Sequence, residues 1–461
     1  EIKGITSTKY YHKDINEKEV YLYLKKGFIN STNETWFKNI FQVPPGSYLE
    51  YSQNKIIVKK YYEIKNNVDE KIDDERISYK ETLNNIYQKI CLSFQEHLQF
   101  DVNAGIHISS GVDSALIAAL TKIHNLENIK SYTFTYENKI YSELENAKKI
   151  ANSVNLVNKS STLKDNEVEK FLYKVLNSEY EPFSSLRILS QHHLYNKYKN
   201  EVRVVIDGSG GDEIGGGYIY YAIPWYLDII NDKRVSNEKR RLLNLSEKIK
   251  NNTISLNHFL IGSLNQTFSP GSSTVDGSIY SNNNLIDRDF LKSNEHNDFE
   301  IRKPFKSHLR NAQFADLYHL KLPRALRYVD RASMSNSIEA RVPLLDHEFV
   351  EECFQIPSRL KIVNNQQRSI FKYNIRKHIQ KNVLFKNKRT IADPQSYWLK
   401  NNLKKLCNEV FFDKGFNNSG YLNTNNFIEY YNSFTKYPKH FNSFFIFQVL
   451  IMEIWKKEIL A

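Results

Sequence analysis

The chain has 461 residues, 41% hydrophobic and 25% charged, which excludes a disordered or fibrous protein and allows roughly two to three domains. The formal net charge of +12 invites a nucleic-acid reading, but the densest basic stretches, 233–250 and 381–389, are short and broken by acids or apolar residues, so a solvated basic surface is expected. There is no apolar run of the roughly 20 residues that span a bilayer and no signal-like N-terminal segment, and the three dispersed cysteines suit reduced thiols, so a cytoplasmic location is expected.

Residues 17–28 (EKEVYLYLKKGF) have helical apolar spacing. A turn at Pro44-Pro45-Gly46 follows, and the alternation in 47–64 (SYLEYSQNKIIVKKYYEI) predicts β-strands. This segment is small for a domain. The charged stretch 66–78 reads as a linker, and Ser78 to Leu98 as an amphipathic helix that opens a second domain.

From residue 102 the pattern becomes strand, loop and helix: VNAGIHI, SSGVDS, ALIAALTKIH. The strand KSYTFTY and helix ENAKKIANSV come next, and later the strand VRVVI precedes the glycine-rich loop DGSGGDEIGGGY. This alternation predicts an α/β fold, a parallel sheet flanked by helices with ligands at the carboxyl ends of its strands. Beyond about residue 225 the reading is mostly helical, with the polar stretch 264–298 expected to be a mobile loop.

Two loops suit phosphate chemistry. Ser109-Ser110-Gly111-Val112-Asp113-Ser114 joins a strand to an apolar helix, where backbone N–H groups and the helix dipole favour an anion. Asp113 would repel phosphate unless a cation lay between them, which implies Mg²⁺. Taken alone, the loop is equally an ordinary capped helix start. Asp207 to Tyr218 holds six glycines and the acids Asp212-Glu213 after a strand of the same sheet, so it could approach a nucleotide and offer a second metal ligand. A surface turn is its plainer alternative.

The first loop resembles the Ser-Gly-Gly-x-Asp-Ser loop of pyrophosphate-loop ATP pyrophosphatases, with Ser110 at the first glycine. The second resembles the Ser-Gly-x-Gly-x-Asp-Glu-x-x-Gly-Gly-Tyr loop of glutamine-hydrolysing asparagine synthetases. Asp330-Arg331-Ala332-Ser333-Met334 and Ile338-Glu339-Ala340-Arg341-Val342-Pro343-Leu344-Leu345-Asp346 look like the next signature of that family. The resemblance implies an adenine-nucleotide alpha-hydrolase-like fold with a mostly helical C-terminal part and a small N-terminal α+β remnant. It divides the chain into the end of a glutaminase domain (1–65), a linker (66–77) and a synthetase domain (78–461).

The family's chemistry is ATP cleavage between the α- and β-phosphates, giving an acyl-adenylate that ammonia converts to an amide. By resemblance, Asp113 and Asp212 would ligate Mg²⁺, while Ser109, Ser110, Gly111 and Ser114 would bind pyrophosphate. Asp207 and Gly208 would contact the nucleotide, and the main chain at His107 and Tyr136 would frame the adenosine. Lys388, in Lys386-Asn387-Lys388, matches the family's late active-site lysine, a cation suited to charge developing on phosphate. Arg187 matches a region where a guanidinium could grip a second carboxylate; a helix-surface role is equally open. The pair Glu339 and Arg341 reads as a buried structural ion pair.

The sequence also departs from the family. Ser209 stands where an acid usually helps take a proton from the amine, and serine is no base at neutral pH without help. Asn158 stands where a histidine is common. No counterpart of the glutaminase's N-terminal cysteine is present, since Cys91 lies beyond the matching segment, so the chain is expected to be part of a longer protein and to use free ammonia when alone.

The expected function is therefore an ATP-dependent amide synthetase, with aspartate as the first candidate substrate. Sugar acids of surface polysaccharides and cyclising peptides are alternative substrates, and an inactive scaffold is the non-enzyme alternative. A nucleotide or tRNA modifier would need paired cysteines or an RNA-binding domain, and neither is visible. Expected partners are ammonia from a glutaminase domain outside this chain and a second copy of the chain, with neither nucleic acid nor membrane.

Overall fold

The computed structural model describes residues 1–70, 78–126, 128–230, 256–271, 282–363, 366–385, 393–416 and 419–460. Near the N-terminus, β1 (Ser47–Ser52) and β2 (Lys55–Lys60) form an antiparallel hairpin. Gln53 and Asn54 turn it with φ of 48° and 59°, the left-handed pair that matches strand twist in two-residue loops. The hairpin is amphipathic. Leu49 faces Val58 and Tyr51 faces Ile56 on one side, while Glu50 and Lys59 form an ion pair on the other.

The sheet that organises the molecule has five parallel strands in the order β5-β4-β3-β6-β7. These are β3 (Ala104–His107), β4 (Lys130–Tyr136), β5 (Asn158–Leu163), β6 (Val204–Ile206) and β7 (Glu339–Arg341). Its interior strands carry Ile106, Tyr132, Val204, Val205 and Ile206, all buried, as a sheet covered on both faces requires. The helix Val112–Ile123 follows β3 and is apolar almost all round, with Ala115 to Leu120 at 2% exposure or less. Such a helix belongs in an interior. The helix Tyr79–Glu96 begins where expected, with Ser78 Oγ accepting from the Glu81 N–H at 3.1 Å.

Two strands escape sequence patterning because both lie at sheet edges. β5 is NKSSTL, and Asn158 serves the sheet: its Nδ2 donates to Ser131 Oγ at 2.9 Å and Thr133 Oγ1 at 3.0 Å. The three-residue strand β7 corrects one expectation. Arg341 Nε does pair with Glu339 Oε1 at 2.8 Å, but Glu339 is exposed, because an edge strand leaves the pair open to water. The stretch 264–298 is a second correction, since the helix Leu256–Phe268 extends into it and Arg288–Asn294 is helical. Residues 272–281 of that stretch and 71–77 of the expected linker lie outside the described residues.

Part of the N-terminal segment packs into the common core. The helix Glu17–Lys26 buries Val20 to Leu24, and the Tyr23 hydroxyl donates to the Phe183 carbonyl at 2.8 Å. Gln448 Nε2, from the apolar helix Ser443–Trp455, donates to the Tyr23 carbonyl at 3.0 Å, and the Trp36 and Trp455 rings meet edge to face at 5.3 Å. Under this contact Arg327 pairs with Glu179 and Glu181, each at 3.3 Å, and Glu181 Oε1 accepts from the Trp36 N–H. No helix among the described residues is long and apolar enough to cross a membrane.

Candidate active site

The two expected loops, Ser109 to Ser114 and Asp207 to Tyr218, follow the carboxyl ends of β3 and β6. Because these strands are adjacent and parallel, the loops after them lie side by side. Glycine lets them touch. A Cβ on Gly208 would come within 3.1 Å of the Asp113 backbone, and one on Gly211 would lie 2.4 Å from Asp113 Cγ.

Within the first loop, Ser114 Oγ takes up the Ser109 N–H at 3.0 Å and lies 3.1 Å from Ser109 Oγ, which in turn accepts from the Gly111 N–H at 3.1 Å. The hydroxyls thus hold the turn in shape ahead of the helix that starts at Val112. Ser110, at the position of the pattern's first glycine, donates instead to Glu143.

Asp113 and Asp212 are brought together, and a residue not singled out from the sequence lies between them. Arg368 Nη1 is 2.9 Å from Asp113 Oδ2 and 2.8 Å from Asp212 Oδ1. Its side chain is only 4% exposed, and its backbone is left-handed with φ of 53°. Burial works against the guanidinium's charge, but the two carboxylates outweigh it and raise its pKa further. Two carboxylates within 3 Å of one nitrogen form an oxygen-donor pair of the kind a hard cation takes. Among the described residues no third His, Cys, Asp or Glu joins them, so phosphate or water would complete any coordination shell. The second acid, Glu213, is engaged by a tyrosine. It is buried and accepts from the Tyr218 hydroxyl at 2.6 Å.

Asp207 is a separate centre. Its Oδ1 accepts from Ser209 N–H at 2.9 Å and from Ser209 Oγ at 2.5 Å, and its Oδ2 lies 3.1 Å from His107 Nδ1. Burial pushes the Asp207 carboxyl up, yet the bonds from His107 and Ser209 prevail and hold it below the usual range. The link between His107 and Asp207 spans 100 residues of sequence and has no local signal.

Tyr136 ends β4, with its ring 5.6 Å from that of Trp398, and burial pushes its phenol up to about 12. Arg187 is exposed at the start of the helix Arg187–Tyr198, its guanidinium 5.6 Å from the centre of the Phe134 ring. Nearby Asp393 accepts from Ser185 Oγ at 3.0 Å; burial raises its pKa, and the Arg187 charge opposes that rise. Lys388 lies outside the described residues.

The family model described as asparagine synthase matches residues 86–457. Glutamine-hydrolysing asparagine synthetase 1 of Bacillus subtilis is 23% identical over 405 residues, covering 86% of this chain and 62% of the relative. Asparagine synthetase 2 of the same organism is 25% identical over 393 residues, covering 78% of this chain and 46% of the relative. The chain therefore spans between about half and six-tenths of the length of these relatives. Among solved structures, the NH3-dependent NAD synthetase of Campylobacter jejuni aligns at 17% identity with a TM-score of 0.22, over 41% of this chain and 93% of that one.

Proposed function

The chain belongs to the asparagine synthase family, and from that premise we propose that it is an ATP-dependent amide synthetase, with aspartate as its first candidate substrate. The observation that carries this reading is the meeting of the Ser109–Ser114 loop with Asp212 and Arg368 at the ends of adjacent parallel strands. That is where an α/β sheet binds nucleotides.

In this reading a substrate carboxylate attacks the α-phosphorus of ATP, pyrophosphate leaves, and ammonia displaces AMP from the acyl-adenylate. The N–H groups at the start of the helix Val112–Ile123, with the Ser109 and Ser114 hydroxyls, bind the departing pyrophosphate. The Arg368 guanidinium lies beside them, ready to offset phosphate charge. Asp113 and Asp212 would hold Mg²⁺, which supplies charge neutralisation on the phosphates. Asp207 and Gly208 border the nucleotide, with the main chain at His107 and Tyr136 framing adenosine. Arg187, exposed and mounted on Phe134, grips the second carboxylate of the substrate. Lys388 is the proposed late cation.

Ammonia is proposed to come from a glutaminase domain outside this chain, with the protein acting in the cytoplasm as a pair of copies. The serine at 209, in place of an acid, favours one second reading: an amide synthetase acting on a sugar acid or peptide. The test is pyrophosphate release from Mg²⁺ and ATP with ammonium, across aspartate, uronic-acid sugar nucleotides and peptides. Release with aspartate supports the first reading and release with another carboxylate the second. No release with any carboxylate leaves the scaffold alternative standing.

A further inference from the structure

Amide formation needs a proton acceptor, and Ser209 is not one. Its Oγ–H is committed to Asp207 Oδ1 at 2.5 Å, and an alcohol is far too weak a base at neutral pH. Asp207 is a poor acceptor as well, since it already receives the Ser209 amide, the Ser209 hydroxyl and the His107 ring, and its carboxyl is held below the ordinary range.

His107 is a base at this edge of the sheet that Asp207 contacts directly. It is the last residue of β3, beside the β6 loop that carries Ser209 and directly ahead of the loop that opens at Ser109. With Asp207 ionised, the 3.1 Å contact places a proton on Nδ1 and leaves Nε2 as a lone-pair acceptor. Nε2 has no hydrogen-bond partner among the described residues, and the side chain keeps 13% exposure. The ring is steadied by Tyr195, whose centroid lies 4.8 Å away. Asp207 from the β6 loop and Tyr195 from the helix Arg187–Tyr198 are the titratable groups against it, and burial keeps the Tyr195 phenol protonated.

We propose that His107 is the general base of amide formation, oriented by Asp207, in place of the acid missing at position 209. The inference rests on the amide-synthetase reading. As the amine nitrogen bonds to the acyl carbon, the bond from that carbon to the AMP oxygen breaks and its electron pair leaves with AMP. The surplus proton on nitrogen passes to His107 Nε2 and then to water. Asp207 holds the tautomer and stabilises the imidazolium, the role of the carboxylate behind a histidine base in acyl transfer.

The experiment measures amide formed per pyrophosphate released, with ammonium and whichever carboxylate supports release, for the wild-type chain and His107→Gln across pH. The expected result is a fall of this ratio by about 10²–10⁴-fold in His107→Gln. An unchanged ratio and pH profile overturn the inference alone, whereas no pyrophosphate release from wild type overturns the amide-synthetase reading and the inference together. Should His107→Gln not fold, ¹⁵N chemical shifts of the wild-type imidazole decide. A neutral ring protonated on Nδ1, turning to mixed tautomers in Asp207→Asn, supports the inference; a ring protonated on Nε2 overturns it.

Discussion

Arg368 Nη1 stands 2.9 Å from Asp113 Oδ2, a contact made across 255 residues of sequence between a left-handed arginine and the first turn of a buried helix. The same nitrogen lies 2.8 Å from Asp212 Oδ1, so neither acid can be altered without disturbing a buried cation.

Asp113→Asn should lower pyrophosphate release by at least about 10²-fold, the scale of losing one well-placed charge in a phosphoryl site. Stopped assays of pyrophosphate with saturating ATP check this, and wild-type rates would contradict the role given to Asp113. The variant should also melt lower, because the guanidinium loses part of its compensation.

Arg187→Ala removes the exposed guanidinium over Phe134. The expected outcome is a KM for the carboxylate raised about tenfold or more, with the KM for ATP moving much less, since a charge-assisted pair contributes about 1.5–3 kcal/mol. Initial rates with each substrate varied in turn distinguish the two. Equal shifts in both KM values would argue for a structural arginine.

Arg327→Met should destabilise the fold by about 3–5 kcal/mol by leaving Glu179 and Glu181 buried without their cation. Urea unfolding measures it. The triple variant Arg327→Met, Glu179→Gln, Glu181→Gln should recover much of the loss, because no uncompensated charge is then left inside.

Glu19 is 2% exposed and accepts from Thr32 Oγ1 at 2.7 Å, and burial pushes its carboxyl up to about 7. A folded pKa above the unfolded value of 4.5 means that the native state binds the extra proton between these limits. The stability due to Glu19 is thus complete below pH 4.5 and is lost as pH rises towards 7, on the order of 3 kcal/mol in all. Glu19→Gln should flatten this part of the curve of unfolding free energy against pH. The same slope in both proteins would mean that Glu19 is already ionised across the range.

What the sequence reveals depends on how local the cause is. β3, β4 and β6 are legible because runs such as AGIH and VVI lie next to loops of glycine and hydroxyl residues. β5 and β7 are not, since a polar edge strand and a three-residue strand take their form from their neighbours. Asp113 and Asp212 can be read from short loops whose glycines and acids act on their own backbone. Arg368 and the side-chain role of His107 cannot, because their partners are distant in the chain and nothing in the adjacent residues marks them.

The joining of Tyr23 and Trp36 to the helix Ser443–Trp455 has a consequence for the order of events during synthesis. The bond from Gln448 to the Tyr23 carbonyl closes a loop of 425 residues. At about 5–20 residues per second, a ribosome takes tens of seconds to deliver that helix after Tyr23 emerges. Through that interval Tyr23, Trp36 and Phe37, all buried in the finished molecule, lack one wall of their pocket. Those aromatic side chains are fully covered only once that helix has arrived.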